Sequence, residues 1–400
     1  MRNLFLCSFF SLHEKRKKGT EKREAEKGNL LILLKHLFSK SSFGQLFFQE
    51  KLQKTKMITS VLSTQDTQAV PFGAEILRVG GLVAFPTETV YGLGANGLDG
   101  AAVDRIFAAK GRPNDNPLIL HVAEKEAAFR LWAGEPPFAR ALMDTFWPGP
   151  LSLIYYRSDI VPDEVTAGLD TVAVRMPDNE AARALIAASG VPIAAPSANL
   201  SGKPSPTTAE HVLQDMDGRI PLILDGGPCR YGVESTVLSL VGTPTILRPG
   251  AVTKEMLAAV LGEVALAPSI LAPLGANEKA ASPGMKYKHY APNAQVLVVV
   301  GEAKAAAGRL SALYDRFAAA GKRPYIAATA EALPFYGPRR CALLGTRQDP
   351  TTLCSRLFAL LRELDEEADV ILCEGVGVEG TGLAFMNRLL RSAGFRVEYL

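Results

Sequence analysis

The chain has 400 residues, of which 48% are hydrophobic and 21% are charged, as is typical of a globular protein with two or three domains. This composition excludes a collagen-like chain and disorder over most of the length, and no apolar run approaches the roughly 18 residues that a membrane-spanning helix needs. The net charge of +3 is uneven, because residues 1–56 hold 13 basic and 5 acidic groups and the other 344 residues hold 31 and 36. The mildly acidic main body argues against a large nucleic-acid footprint.

Cysteine usage indicates the compartment. The five cysteines are far apart and form neither a CxxC pair nor a zinc-ligand spacing. A sparse, odd number is typical of proteins in a reducing environment. We therefore expect a cytoplasmic protein.

The first 56 residues differ from the rest of the chain. They contain 7 of the 18 phenylalanines and a single alanine, Ala25. An apolar stretch precedes the basic run Lys15–Lys18, the reverse of a secretory signal, and several glutamates argue against a mitochondrial presequence. A basic tail that binds RNA or lipid is a further interpretation. We favour upstream sequence translated ahead of a true start at Met57, and expect residues 1–56 to be non-native or disordered.

Residues 57–263 are predicted to form a mixed α/β domain. Short apolar segments predict buried strands, and amphipathic segments between several of them predict helices. The predicted strands include residues 82–85, 118–122, 151–156, 172–176 and 192–195. They outnumber what strict β-α-β alternation allows, which favours a mixed sheet.

Residues 264–294 are predicted to be a linker, since they are rich in proline and glycine and show no clear period. Residues 295–400 then alternate between apolar strands and helices, which predicts a smaller Rossmann-like α/β domain. The end of the linker, Ser282–Pro292, is too aromatic and charged for a spacer. We hypothesise that it closes over a site as a lid, with domain attachment as the alternative.

Five polar loops lie at the ends of predicted elements and suggest one cleft. They are residues 86–94, 110–117, 196–202, 225–236 and 248–250. Lys110 and Arg112 are suited to a polyphosphate, although two cations also complement a helix C-terminus. The other loops read equally well as capped turns, and a strand histidine such as His121 is more often a core residue than a catalyst.

Several nucleotide and hydrolase motifs are absent from the sequence. There is no Walker GxxxxGK[ST], no HExxH and no GxSxG. GxGxxG occurs at Gly92–Gly97 and at Gly375–Gly380, but the first lies too far from its strand and the second too near the chain end for a dinucleotide site.

The ordered motifs resemble the two-domain branch of the YrdC-type threonylcarbamoyl-AMP synthases. They are PTETVYGLG at 86–94, KGRPNDNPL at 110–118, WPGPLS at 147–152, AGLDTVAVRMP at 167–177, PIAAPSANLSG at 192–202, GVESTV at 232–237, LRPG at 247–250 and PGMKYKHYAP at 283–292. The resemblance covers about residue 60 to 400. It implies a YrdC-type catalytic domain, a linker and the smaller C-terminal domain.

The resemblance also implies a reaction. A nucleotidyltransferase of this type forms threonylcarbamoyl-AMP and pyrophosphate from L-threonine, bicarbonate or CO₂, and ATP with Mg²⁺. A partner transferase complex then modifies tRNA, so we expect no strong direct tRNA binding and no membrane association.

The site residues are carried over from the resemblance. The implied catalytic pair is Lys110 and Arg112. The implied ATP-binding residues are Lys110, Arg112, Asn116, Thr171, Ser197, Asn199, Ser205, Arg248 and Tyr287. The implied L-threonine-binding residues are Thr87, Thr89, His121, Arg175 and Ser235, with Thr87 and Thr89 not separated. No protein side chain is expected to bind Mg²⁺ directly.

Two other functions remain open from the residues. A carbamoyltransferase of the hydrogenase-maturation type shares a YrdC-type domain, but those chains carry additional cysteine pairs and an acylphosphatase-like domain that this sequence lacks. A double-stranded-RNA-binding module without catalysis would show salt-dependent RNA binding, which the acidic main body disfavours.

A shortened chain that begins at Met57 should keep full activity and a similar melting temperature, because the segment before it has the composition of a separate piece. Activity and thermal unfolding of the two chains, measured side by side, check this. A loss of activity of roughly tenfold, about 1.4 kcal/mol in the barrier, would refute the proposed start.

Overall fold

The computed structural model describes residues 57–272 and 290–400. The predictions for residues 1–56 and for Tyr287 therefore lie outside the described residues, as does most of the predicted lid. From Ile58 onward the chain belongs to one compact unit.

The first sheet is mixed. Its strands are β1 Ser60–Ser63, β2 Val83–Phe85, β3 Gly92–Asn96, β4 Ile119–His121, β5 Leu151–Tyr156, β6 Thr171–Arg175, β7 Ile193–Ala195, β8 Leu222–Asp225, β9 Thr236–Ser239, β10 Thr245–Arg248 and β11 Ala265–Leu266. They lie in the order β1-β8-β2-β3-β7-β4-β6-β5-β9-β10-β11. The sheet contains both parallel pairs, such as β4 with β6, and antiparallel pairs, such as β5 with β6.

Eight helices accompany this sheet in the described residues. They are α1 Ala69–Arg78, α2 Gly100–Lys110, α3 Lys125–Phe129, α4 Ala139–Phe146, α5 Asp163–Thr166, α6 Glu180–Ser189, α7 Ala209–Met216 and α8 Lys254–Leu261. Helix α1 packs against α6, and α2 packs against β3 and α5. The apolar faces of sheet and helices form two main clusters of buried side chains.

Gly94 allows a hairpin where the sequence predicted a loop. The predicted loop 86–94 ends inside β3, which pairs antiparallel with β2. A Cβ atom on Gly94 would lie 2.7 Å from Ile193 Cγ2 and 2.9 Å from Phe85 Cε1. Glycine is thus required here by close packing, and the first GxGxxG lies on a strand rather than in a phosphate-binding turn.

The second sheet is parallel. Its strands are β12 Gln295–Val300, β13 Pro324–Thr329, β14 Cys341–Gly345, β15 Val370–Gly375 and β16 Val397–Tyr399, in the order β14-β13-β15-β12-β16. Its helices are α9 Ala303–Ala319, α10 Pro350–Glu367 and α11 Gly382–Ser392. Helix α11 carries buried residues around its whole circumference because it lies between this sheet and the first domain.

The predicted fold class is confirmed: a large mixed-sheet α/β domain is followed by a smaller parallel α/β domain. The domain boundaries themselves stay a prediction. Within the described ranges, no helix is long and apolar enough to cross a lipid bilayer.

Candidate active site

One open cavity lies over the middle strands of the first sheet, with about 580 Å³ of empty space when the solvent at its mouth is included. Each of the five polar loops predicted from the sequence contributes to its wall. The lining residues are Thr89, Val90, Gly92, Arg112, Ile119, His121, Arg175, Ala195, Pro196, Ser197, Glu234, Ser235, Arg248 and Tyr290. Three arginines and one glutamate thus converge on one space, which gives the cavity a positive balance suited to an anionic ligand.

Strand register brings the first arginine to the cavity. His121 and Arg175 are partners in the parallel pairing of β4 with β6, so their side chains lie next to each other. The Arg175 guanidinium is almost fully buried and donates to Gly149 O at 3.2 Å and to Thr89 Oγ1 at 3.0 Å. Its Nη2 forms an ion pair with Glu88 Oε1 at 2.7 Å. Glu88 thereby fixes the guanidinium, a role that the sequence did not reveal.

Thr87 and Thr89 have different positions. The Thr87 hydroxyl donates to Val90 O at 2.6 Å and accepts from the backbone of Thr89 and Val90, so it closes its own turn. Thr89 lines the cavity and contacts Arg175. Of the two, Thr89 is therefore placed to reach a ligand, while Thr87 holds the loop.

His121 is held as a neutral imidazole. Its Nδ1 lies 3.1 Å from Ile119 O and 3.3 Å from Ile193 O, so Nδ1 carries the proton and donates it to the backbone. Burial and the nearby Arg175 charge lower the pKa of His121 to about 3. The other ring nitrogen, Nε2, is consequently an acceptor at neutral pH.

This protonation state predicts an acid-sensitive fold. His121 has its usual pKa of 6.5 in the unfolded chain and about 3 in the folded one, so between these values only the unfolded chain binds the proton. The free energy of unfolding should fall as pH decreases below 6.5, by up to about 1.4 kcal/mol per pH unit. Urea unfolding of wild type and His121→Asn at several pH values measures this.

The wild-type curve should be steeper than that of His121→Asn over this interval. His211, whose pKa burial also lowers, is present in both proteins and cancels in the difference. Equal slopes in the two proteins would show that His121 is not held neutral.

Arg248 and Ser235 are neighbours in the cavity wall. Arg248 donates from Nε to Ser235 O and from Nη2 to Ser235 Oγ, both at 3.1 Å. Ser235 Oγ also lies 2.8 Å from Ser152 Oγ. Burial lowers the pKa of Arg248 to about 10, so it remains charged at neutral pH. The hydroxyl of Ser235 is thus oriented from two sides.

Arg112 follows the end of α2, which is set by its caps. Asp99 caps the N-terminus through the amides of Ala101 and Ala102, and Gly111 ends the helix in the left-handed conformation. The Arg112 guanidinium then lies over the Phe107 ring at 5.5 Å and donates to Asn116 O at 2.8 Å. Asn116 is fully buried and supports the arginine through its carbonyl group.

Lys110 is adjacent to the cavity but does not line it. Its Nζ donates to Ser197 O at 2.5 Å and Asn199 O at 2.6 Å, so the ammonium group organises the loop that carries Ser197. Burial and the neighbouring Arg112 lower the pKa of Lys110 well below its usual range. In this geometry Lys110 acts on the cavity through the loop.

Three further implied residues also lie outside the lining. Asn199 donates to Leu200 O and Lys203 O and so folds the same loop. Ser205 is fully buried and donates to Glu234 Oε1 at 2.5 Å. Thr171 lies four residues before Arg175 on β6, roughly 13 Å along the strand, and pairs with Tyr156. The structure therefore does not bring Thr171 to the cavity.

Tyr290 belongs to the hypothesised lid and lies within the described ranges. Its side chain lines the cavity. It is 4% exposed, and its ring stacks on Phe358 of α10 with centroids 5.0 Å apart. The next residue, Ala291, donates to Gly202 O at 2.8 Å. The end of the linker thus contacts both domains at the cavity.

Among the described residues, no group of three or more His, Cys, Asp or Glu side chains is arranged to hold a metal ion. The two buried carboxylates nearest the cavity, Glu88 and Glu234, are ion-paired with Arg175 and Arg388 respectively.

Comparisons with known proteins cover both domains. The family model described as "Telomere recombination" matches residues 75–250, and the one described as "Threonylcarbamoyl-AMP synthase, C-terminal domain" matches residues 252–394. The threonylcarbamoyl-AMP synthase of Bacillus subtilis is 48% identical over 85% of this chain and 97% of its own length. That of Pyrococcus abyssi is 46% identical over 85% of this chain and 98% of its own length.

A solved structure agrees with these matches. The crystal structure of P. abyssi Sua5 complexed with L-threonine is 45% identical, covers 86% of this chain and all of that one, and superposes with a TM-score of 0.79. The order of the two domains and the fold agree with those of these relatives, and nearly half of the aligned residues are identical. The protein belongs to the threonylcarbamoyl-AMP synthase family, a family of nucleotidyltransferase-type enzymes.

Proposed function

We propose that this protein joins L-threonine, bicarbonate and ATP into threonylcarbamoyl-AMP, with release of pyrophosphate. The amino group of L-threonine and bicarbonate first form a carbamate and water. A carbamate oxygen then attacks the α-phosphorus of ATP, and the bond to the β-phosphate oxygen breaks. The observation that carries the proposal is the cavity itself, because Arg112, Arg175 and Arg248 all line one space.

The Arg175 side is suited to an amino acid. A guanidinium forms charge-assisted hydrogen bonds with a carboxylate, and Glu88 and Thr89 hold this guanidinium in place. The neutral His121 offers an acceptor, and Ser235 offers a hydroxyl group. We assign L-threonine to this half, with its carboxylate toward Arg175. The L-threonine complex of the P. abyssi relative supports L-threonine as a ligand of this family.

The Arg112 and Arg248 side is suited to a triphosphate. Phosphoryl transfer of this kind needs alignment and neutralisation of charge at the phosphates more than it needs a covalent catalyst. Arg112 and Arg248 supply fixed positive charge, and Ser197 supplies a hydroxyl group on a loop that Lys110 orders. No side chain is needed as the nucleophile, because the carbamate performs the attack.

Mg²⁺ enters with ATP as part of the substrate. The carboxylates of Glu88 and Glu234 are both paired with arginines, so neither is available as a strong metal ligand. Phosphate oxygens are good ligands for Mg²⁺. The phosphates of ATP therefore suffice to carry the ion.

Protection of the intermediate explains the composition of the linker. Carbamates lose CO₂ in water, so the site must be closed during the reaction. Tyr290, at the end of the linker, forms part of the cavity wall and contributes to this shelter. The product is a reactive adenylate, and we propose that a separate transferase passes its threonylcarbamoyl group to tRNA.

Pyrophosphate release tests the proposed function. Purified protein with ATP, Mg²⁺, L-threonine and bicarbonate should release pyrophosphate, whereas omission of L-threonine or depletion of bicarbonate should suppress release. D-threonine is the matched control, because it has the same groups with the opposite hand. Equal release without any amino acid would contradict the proposal.

A further inference from the structure

One arginine of the second domain reaches the cavity wall of the first. Arg388 on α11 is fully buried and donates from Nε to Glu234 Oε2 at 2.9 Å. Its Nη1 donates to Pro249 O at 2.7 Å, next to Arg248, and its Nη2 donates to Glu234 O at 3.3 Å. The guanidinium therefore holds both Glu234 and the backbone beside Arg248.

Glu234 is fixed as a charged carboxylate at the cavity. Its Oε1 accepts from Ser205 Oγ at 2.5 Å, while Arg388 holds Oε2. Burial alone would raise the pKa of Glu234, but the charges of Arg388 and Arg248 outweigh it and lower the pKa. Glu234 thus carries a full negative charge in the same wall as Arg248.

This arrangement creates a conflict that Arg388 resolves. Glu234 and Arg248 have opposite charge and line one cavity. A buried carboxylate without its ion-pair partner is costly, so without Arg388 it would turn toward the other cation whose charge already lowers the pKa of Glu234, Arg248. That cation is one that the proposed function assigns to the phosphates.

We propose that Arg388 is a positioning residue of the active site, which holds the Glu234 carboxylate in its present orientation and so limits its competition with a triphosphate for Arg248. The inference rests on the proposed function for the ligand of Arg248. It also gives the second domain a part in substrate binding, since α11 belongs to that domain.

The alternative is that Arg388 merely attaches the two domains. Arg391, one turn further along α11, is a matched control for attachment, because it is also buried and donates to Ser269 O at 2.8 Å. Loss of either arginine should lower the melting temperature. Only loss of Arg388 should alter the binding of phosphates.

The experiment compares full-length wild type, Arg388→Met, Arg391→Met, Glu234→Gln and the double variant Arg388→Met with Glu234→Gln. Pyrophosphate binding is measured by calorimetry, and KM for ATP and L-threonine by pyrophosphate release. Arg388→Met should weaken pyrophosphate binding and raise KM for ATP by about tenfold each, within the range of couplings between adjacent charged groups, with KM for L-threonine little changed. The double variant should recover much of this loss, because the competing carboxylate is gone.

The inference would be overturned if Arg388→Met bound pyrophosphate as tightly as the wild type does. It would also be overturned if the double variant bound pyrophosphate no better than Arg388→Met. Absence of pyrophosphate binding to the wild type would overturn it as well. Failure of the proposed function is distinct, since it appears as a wild type that binds pyrophosphate but releases none from ATP and L-threonine.

Discussion

Arg175→Ala should abolish L-threonine-dependent pyrophosphate release and lower the free energy of unfolding by about 3–5 kcal/mol. Arg175 holds the proposed carboxylate of L-threonine, and it is the ion-pair partner of Glu88, whose side chain is 3% exposed. Its removal therefore takes away the group that we assign to the carboxylate of L-threonine. It also leaves the buried carboxylate of Glu88 without its ion-pair partner. Turnover and urea unfolding measure the two consequences separately.

Adding Glu88→Gln to Arg175→Ala separates the two roles. The double variant should regain stability, because the uncompensated charge of Glu88 is gone. It should regain no activity, because the guanidinium of Arg175 that would bind the carboxylate of L-threonine is still missing. Arg140→Ala is the matched surface control, because this arginine is exposed and its ion-pair partners, Glu126 and Glu135, are exposed as well. An Arg175→Ala protein that turns over like wild type would refute the assignment of L-threonine to this side.

Arg112→Ala should lower turnover by about 2–4 kcal/mol in the barrier, the scale of losing one preorganised charge-stabilising group. The binding of L-threonine should change little, because we assign Arg112 to the phosphates of ATP and not to the amino acid. Turnover and L-threonine affinity, measured on the same preparation, check this.

Arg105→Ala is the control for Arg112. Arg105 lies on the same helix α2 but donates to Gly80 O, away from the cavity. It should leave turnover unchanged. Equal turnover of Arg112→Ala and wild type would remove Arg112 from the phosphate site.

Much of the fold could be predicted because its strands are short apolar segments between turn-forming residues. Strand β3 was missed because its Gly-Leu-Gly sequence has no strand propensity, and only its position between Phe85 and Ile193 makes it a strand. Strands β1 and β16 were missed as short edge strands, whose pairing depends on partners distant in sequence.

The site was predictable as a set of loops but not as a set of contacts. The loops place Thr89, Arg112, Ser197, Ser235 and Arg248 around one cavity. The partners of the buried charges depend on residues far away along the chain. These partners are the carbonyl oxygens that accept from Lys110 and the arginines that pair with Glu88 and Glu234. The only sequence signal for the two glutamates is their position inside the motifs PTETVYG and GVEST.

The position of the new bond is the central claim, and ¹³C-labelled bicarbonate tests it most directly. Protein incubated with ATP, Mg²⁺, L-threonine and the label is quenched and analysed by mass spectrometry. Our account predicts an adenylate that contains one threonine and one ¹³C atom, formed in step with pyrophosphate. An adenylate of threonine without ¹³C would show that the amino-acid carboxylate, and not a carbamate, attacks the α-phosphorus, and it would contradict the account.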